Sequence, residues 1–181
     1  MRVVGVAALG TEPPGELAEK ARLFVRELAG LCGREVCLAL GGYWGLMKVV
    51  VDEALRLGLL VILFPPVERE DVAFPEGVVV VRTGSSFRVR SVFLCRSSDV
   101  LVSLGGEAGT MQEVFTAYLE GVPVLALGGT GLSSDRLAAF APCLDLRCSA
   151  PVEVVPDPSS LARRVCELVR SARGRGRAAP G

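Results

Sequence analysis

The chain has 181 residues, half of them apolar, and its 20 Lys and Arg balance 20 Asp and Glu. That length suits one domain, that apolar fraction excludes a disordered chain, and the even charge leaves no electrostatic footprint for nucleic acid. The absence of histidine rules out a Ser-His-Asp triad, a Cys-His pair and any zinc site with a His ligand, so acid–base work falls to carboxylates, Tyr, Lys or Cys.

Residues 3–8 open the chain as a buried strand. A basic n-region and a cleavage site of the signal-peptide kind are missing, and no apolar run is long enough to span a bilayer, so a cytoplasmic protein with no membrane partner is expected. Pro13 and Pro14 start a helix whose apolar positions Leu17, Ala21, Phe24, Val25 and Leu28 recur at helical spacing; Gly30 and Gly33 are expected to end it. Residues 35–40 read as a strand and run into Gly41-Gly42. Residues 46–57 form a helix closed by Gly58, and 59–64 a strand stopped by Pro65-Pro66. The charged, proline-bearing stretch 67–77 is a surface loop. A strand over 78–82, a helix over 87–97, a strand over 99–104, a helix over 110–120 and a strand over 122–127 follow. Gly128-Gly129-Thr130-Gly131 turns into a short helix near 134–140. A strand at 152–155 and a helix from Pro158 complete a domain over 1–170, and the Arg/Gly-rich tail 171–181 is expected to be disordered.

Strands of continuous Val, Leu and Ile separated by helices predict an α/β fold with a mostly parallel sheet covered on both faces. Ligands of such sheets sit beyond the C-terminal strand ends, at a topological switch point. The glycine clusters fall there.

The basic residues are Arg apart from Lys20 and Lys48, there is no Asn, and Gln112 is the only Gln. That bias fits a thermophilic source or a GC-rich genome. None of the six cysteines forms a C-x-x-C pair, so no metal site is expected. Cys32, Cys37, Cys95 and Cys166 sit in apolar stretches and read as buried thiols; Cys143 and Cys148 are spaced to allow a disulfide.

Two clusters carry the chemistry. In Gly41-Gly42-Tyr43-Trp44-Gly45-Leu46-Met47 a strand feeds glycines into a helix N-terminus, where free N–H groups and the helix dipole favour an anion. Tyr43 and Trp44 suit stacking on a planar base or capping of the sheet. In Gly105-Gly106-Glu107-Ala108-Gly109-Thr110, running on to Glu113, the pattern repeats, with Thr110 placed to cap the helix and offer a hydroxyl to phosphate. A Thr-x-x-Glu capping box is the alternative reading of Thr110 and Glu113. Arg88, Arg90 and Arg96 precede the second cluster. On a helix Arg88 and Arg96 share a side and Arg90 lies elsewhere, either as a solvated face or as a phosphate clamp.

The segments GGYWGLM and FRVRSVFLCRSSDVLVSLGGEAGTMQEVFTAYLEGVPVLAL together resemble the superfamily of the Lonely Guy phosphoribohydrolases and the molybdenum-cofactor carrier proteins, often labelled lysine decarboxylase-like. The resemblance covers roughly residues 3–131 and implies a Rossmann-like, three-layer fold, usually dimeric, binding a phosphorylated ligand between the glycine loops. It implies a cofactor-binding set of Gly41, Gly42, Gly45, Met47, Arg90, Gly105, Gly106, Gly109, Thr110 and Glu113. In the hydrolases the positions of Arg90 and Glu113 serve cleavage of the N-glycosidic bond of nucleoside 5′-monophosphates, with no cofactor required. The hydrolases carry a proline where this chain has Gly105 and a lysine where it has Ser91, and they lack Glu107. The GG-x-x-GT form and the trailing GGTG resemble the carrier-like branch more closely, while Ser91 matches neither branch, asparagine being common there in the carriers. The expected function is binding of a nucleoside monophosphate or molybdopterin-type cofactor by a homo-oligomer, a dimer or larger; phosphoribohydrolase activity is the alternative, and lysine decarboxylation is not expected.

Overall fold

The structure is a computed structural model and describes residues 1–171. The strands are β1 (Arg2–Ala7), β2 (Val36–Leu40), β3 (Val61–Leu63), β4 (Val78–Val80), β5 (Val100–Ser103), β6 (Val124–Leu127) and β7 (Val152–Val155). The α-helices are α1 (Gly15–Cys32), α2 (Gly45–Arg56), α3 (Phe87–Ser97), α4 (Ala108–Leu119) and α5 (Pro158–Ser171), with a 3-10 helix at Ser133–Ala139. All seven strands pair in parallel in the order β4-β3-β2-β1-β5-β6-β7.

The expected strands are all present: β7 has the expected bounds, β1 lies one residue earlier, and β2 to β6 are shorter at one or both ends. Leu60 and Phe64 still bond to β2, through Leu38 N to Leu60 O at 2.9 Å and Phe64 N to Leu40 O at 2.8 Å, so the difference at β3 lies in where the ladder is closed and not in the pairing. α1 runs through Gly30, because Leu28 and Cys32 on either side of it are buried and tertiary packing outweighs helix propensity, and it ends at Cys32 with the expected Gly33 as its cap.

α1, α2 and α5 pack on one face of the sheet and α3 and α4 on the other. The repeating positions expected of α1 are its buried stripe, with Phe24, Val25 and Leu28 at 0 % exposure. Each such side chain contributes roughly 2 kcal/mol by leaving water. β1, β2 and β5 are apolar on both faces because both are covered. No described helix is long and apolar enough to cross a membrane.

Two expectations need correction. Cys32 and Cys166 are not free thiols: a disulfide joins them, with Cα atoms 6.0 Å apart. They are 134 residues apart in sequence and meet because α1 and α5 lie side by side. Cys143 and Cys148 are also bonded, and Cys37 and Cys95 remain free and buried. Ser171, placed in the tail by sequence, is the last residue of α5; the expected disorder of 172–181 lies outside the described residues.

Candidate functional site

Successive crossovers diverge at β1 and β5. From β1 the chain winds outward through β2, β3 and β4; α3 then carries it back to β5, on the other side of β1. The C-terminal ends of two adjacent strands whose connections leave in opposite directions form a crevice. A cavity of about 470 Å³ opens there, walled by the segment after β1, the start of α2, the first two turns of α3 and the start of α4.

The helix starts give the cavity its electrostatic character. The residues preceding α2, α3 and α4 are Trp44, Ser86 and Glu107, and none of their side chains caps its helix. The first ladder bond of α4 runs from Met111 N to Glu107 O, so the N–H groups of Ala108, Gly109 and Thr110 precede it and all three residues face the cavity. The starts of α3 and α4 line the space without side-chain caps, which favours an anion there, whereas at α2 the Leu46 N–H is already bonded to Leu9 O.

Arg90 projects from α3 beneath this space. It is 5 % exposed, and its Nη1 donates to Glu113 Oε1 at 3.0 Å. Among the described residues that is the only acceptor for its guanidinium, and Nε is buried without a partner. Ser91 Oγ lies 2.9 Å from the same Glu113 oxygen and 3.1 Å from the Phe87 carbonyl. Burial pushes the Glu113 carboxyl above its ordinary pKa, outweighing the opposing pull of Arg90 and of the Ser91 hydrogen bond. The Cys95 thiol behind it donates to the Glu113 carbonyl at 3.3 Å; burial, and then the Glu113 charge, push it up to about 12, so it stays inert.

Of the expected site residues, Met47, Arg90, Gly109, Thr110 and Glu113 line the cavity. Gly41, Gly42, Gly45, Gly105 and Gly106 are not among the lining residues. A side chain at Gly41 would occupy the place of the Arg90 guanidinium; that close approach is what the glycine provides. Gly42 lies against the Trp44 ring, and Gly106 against the Thr110 hydroxyl.

Thr110 is not the helix cap. α4 begins two residues earlier, so Thr110 sits in its first turn, and Glu113 is turned to Arg90 and Ser91 in place of a capping box. Glu107 accepts a hydrogen bond from the Ser133 hydroxyl. Ser134 braces the loop further, its Oγ accepting from Gly106 N at 3.1 Å and its N donating to Gly106 O at 3.0 Å. The GGTG turn spends its donors internally: Thr130 N at 3.0 Å, Gly131 N at 2.8 Å and Thr130 Oγ1 at 2.8 Å all point at the Asp135 carboxylate.

Aromatic groups edge the cavity. Trp44 meets Phe87 edge-on at 6.1 Å between centroids, and the Arg69 guanidinium lies 5.1 Å from the Trp44 ring centroid. Tyr43 is turned outward to Asp52, its OH donating at 2.6 Å. Arg88 lines the cavity, while Arg96 pairs with Glu120 on the surface.

Sequence reading missed two contributors. Gly10 and Thr11 form a further wall, held by Leu9 N to Gly105 O and Leu46 N to Leu9 O, both 2.9 Å. The signal was a glycine just after the first strand, at the only strand end flanked by both clusters. Ser91 was named only as a departure from a family pattern; its placement one residue after Arg90 could not show that it reaches Glu113.

Among known proteins, a model of the SLOG cluster4 family matches residues 1–143. An uncharacterized protein of Archaeoglobus fulgidus is 28% identical over 127 residues, 70% of this chain and 82% of that protein. The X-ray structure of TM1055 is 29% identical, with a TM-score of 0.78 over 92% of this chain and 99% of that one. The Moco carrier protein of Chlamydomonas reinhardtii is 24% identical, with a TM-score of 0.76 over 94% of this chain and 98% of that one.

Proposed function

The chain belongs to the SLOG cluster4 family, and within it we propose that this protein binds a phosphorylated nucleotide or nucleotide-like cofactor, in the manner of a molybdenum-cofactor carrier. The observation that carries this reading is the buried Arg90 guanidinium: among the described residues it has one hydrogen-bond acceptor and an orphaned Nε, beside the uncapped starts of α3 and α4. A buried cation with donors to spare is costly unless an anion completes it. A phosphate on the N–H groups of Ala108, Gly109 and Thr110 takes the place of the missing caps, and the aromatic edge at Trp44 and Phe87 suits the planar base or pterin of the same ligand. Met47 belongs to the lining, and Gly41, Gly42, Gly45, Gly105 and Gly106 complete the two loops of the binding set.

Turnover is the second reading, and one observation favours it. Arg90 and Ser91 both hold Oε1 of Glu113, and no described donor reaches Oε2. A carboxyl fixed by one oxygen with the other free is suited to activate water or stabilise an oxocarbenium-like ribose.

Trp44 is the only tryptophan and stands at the cavity, so its fluorescence reports binding directly. Titration with AMP, GMP, CMP, UMP and molybdopterin is expected to shift the emission and raise the melting temperature, with no free base on chromatography. Base release that vanishes in Glu113→Gln would establish the phosphoribohydrolase instead. A panel that produces neither shift nor release removes the phospho-ligand reading.

The same cytoplasmic carrier is proposed to be a homo-oligomer. Val89 and Phe93 on α3 and Phe115 and Leu119 on α4, each 38 to 58 % exposed, recur at helical spacing on two packed helices and, with Phe140 edge-on to Phe115, leave exposed apolar surface for a second copy. Sedimentation equilibrium is expected to give at least twice the 19.1 kDa chain mass; a monomer at micromolar concentration would refute the assembly.

A further inference from the structure

Ser91 occupies an unusual position between two acceptors. Its single hydroxyl proton has a choice between the Glu113 carboxyl, 2.9 Å away, and the Phe87 carbonyl, 3.1 Å away. With Glu113 ionised, the hydroxyl donates to Oε1. With Glu113 protonated on Oε1, the acid donates to Ser91 Oγ and the serine proton swings to the Phe87 carbonyl. The contact between Glu113 Oε1 and Ser91 is therefore kept in both charge states without moving a heavy atom, at a carboxyl that is only 7 % exposed.

Among the described residues, Glu113 is the one buried carboxyl that lines this space. α3 presents Arg90, Ser91 and the Cys95 thiol to Glu113. Arg90 stays charged at any working pH, and Cys95 stays a thiol because of its burial. At the cavity rim stand Arg88 and Glu107, the latter accepting from the Ser133 hydroxyl; α2 and the residue before it contribute the neutral Met47 and Trp44.

An anion entering this cavity competes with Glu113 for Arg90. Two negative groups on one buried guanidinium repel, and the pair is relieved if one becomes neutral. We propose that the site captures its anionic ligand together with a proton: ligand oxygens take the Arg90 guanidinium, while the Glu113 carboxylate accepts one proton from the medium at Oε1 and donates it to Ser91 as a hydrogen bond. Ser91 is a positioning residue in this exchange, and the ligand is released as pH rises. The inference rests on the phospho-ligand reading.

Calorimetric titration with AMP, in Tris and in HEPES between pH 7 and 8.5, tests it, because the phosphate is already a dianion there (second pKa about 6). The dependence of the measured heat on buffer ionisation enthalpy counts the protons. The wild type is expected to take up a substantial fraction of one proton per AMP, and its affinity to fall with rising pH by up to about tenfold per unit. Glu113→Gln is expected to bind AMP with no uptake and a flat pH profile. Ser91→Ala is expected to bind with reduced uptake and a displaced profile, which a purely structural serine would not produce. AMP binding without uptake in the wild type, or with equal uptake in Glu113→Gln, overturns proton-coupled capture and leaves the binding reading intact. Absence of any binding by AMP, GMP, CMP, UMP or molybdopterin overturns both.

Discussion

Replacing Arg90 by methionine is expected to abolish the fluorescence and thermal response to phosphorylated ligands and to make the protein's stability steeply dependent on pH. Methionine keeps much of the volume but removes the only cation touching Glu113. Breaking a buried pair by removing one partner typically costs about 3–5 kcal/mol. Here the cost is relieved by protonation, so it depends on pH. The Glu113 carboxyl is already raised by burial in the wild type, and loss of Arg90 raises it further. A carboxyl whose folded pKa lies above its unfolded value of about 4.3 contributes stability that is complete below that value and is lost as pH rises through the folded pKa. Arg90→Met is therefore expected to approach wild-type stability near pH 4 to 5 and to lie roughly 3 kcal/mol below it at pH 8 to 9. Urea denaturation across that range checks the sign; a deficit that grows toward acid refutes it. Gly41→Ala is expected to cause the same loss of ligand response by a different route. Its new methyl occupies the guanidinium's place, and because the obstacle is the end of a flexible side chain, Arg90 moves and the fold survives.

Gly45→Ala is expected to damage the fold itself. Gly45 has φ +55°, and an added Cβ would stand 2.5 Å from Thr11 O and 2.6 Å from both Gly10 C and Leu9 O. The left-handed conformation costs a non-glycine residue about 1–2 kcal/mol, and forced overlap in a packed region costs about 1–3 kcal/mol more. These obstacles are backbone, so no rotamer change relieves them. The sum, about 3 kcal/mol, corresponds to a fall in melting temperature of roughly 6–12 °C for a chain of this size. The same contact joins α2 to the segment after β1, so ligand response is expected to fail with it. A variant that melts within 2 °C of wild type, taking about 1 °C as scatter, would show that Gly45 has room to move.

Most of the fold was legible because its determinants are local. Leu17, Ala21, Phe24, Val25 and Leu28 recur at helical spacing and are the buried stripe of α1. The apolar runs that became β1, β2 and β5 predicted strands covered on both faces. Where local chemistry competed with packing, packing decided: α1 passes through Gly30, and α4 starts before Thr110.

The candidate site was legible in its parts and not in its contacts. Gly41, Arg90 and Glu113 could each be named, yet nothing in their spacing required the guanidinium of one to lie against the backbone of another. Gly10 and Thr11 carried a weak signal, and Ser91 carried none beyond its identity.

By itself, the sequence determined the alternation of parallel strands and helices and the turns at which glycines meet helix N-termini, because periodicity and turn chemistry act within a few residues. The tertiary structure alone decided that β1 and β5 are neighbours, that Arg90 and Ser91 share one oxygen of Glu113, and that Cys32 meets Cys166. Those contacts depend on strand order and on the face each crossover takes, and both are settled by burying the whole sheet at once.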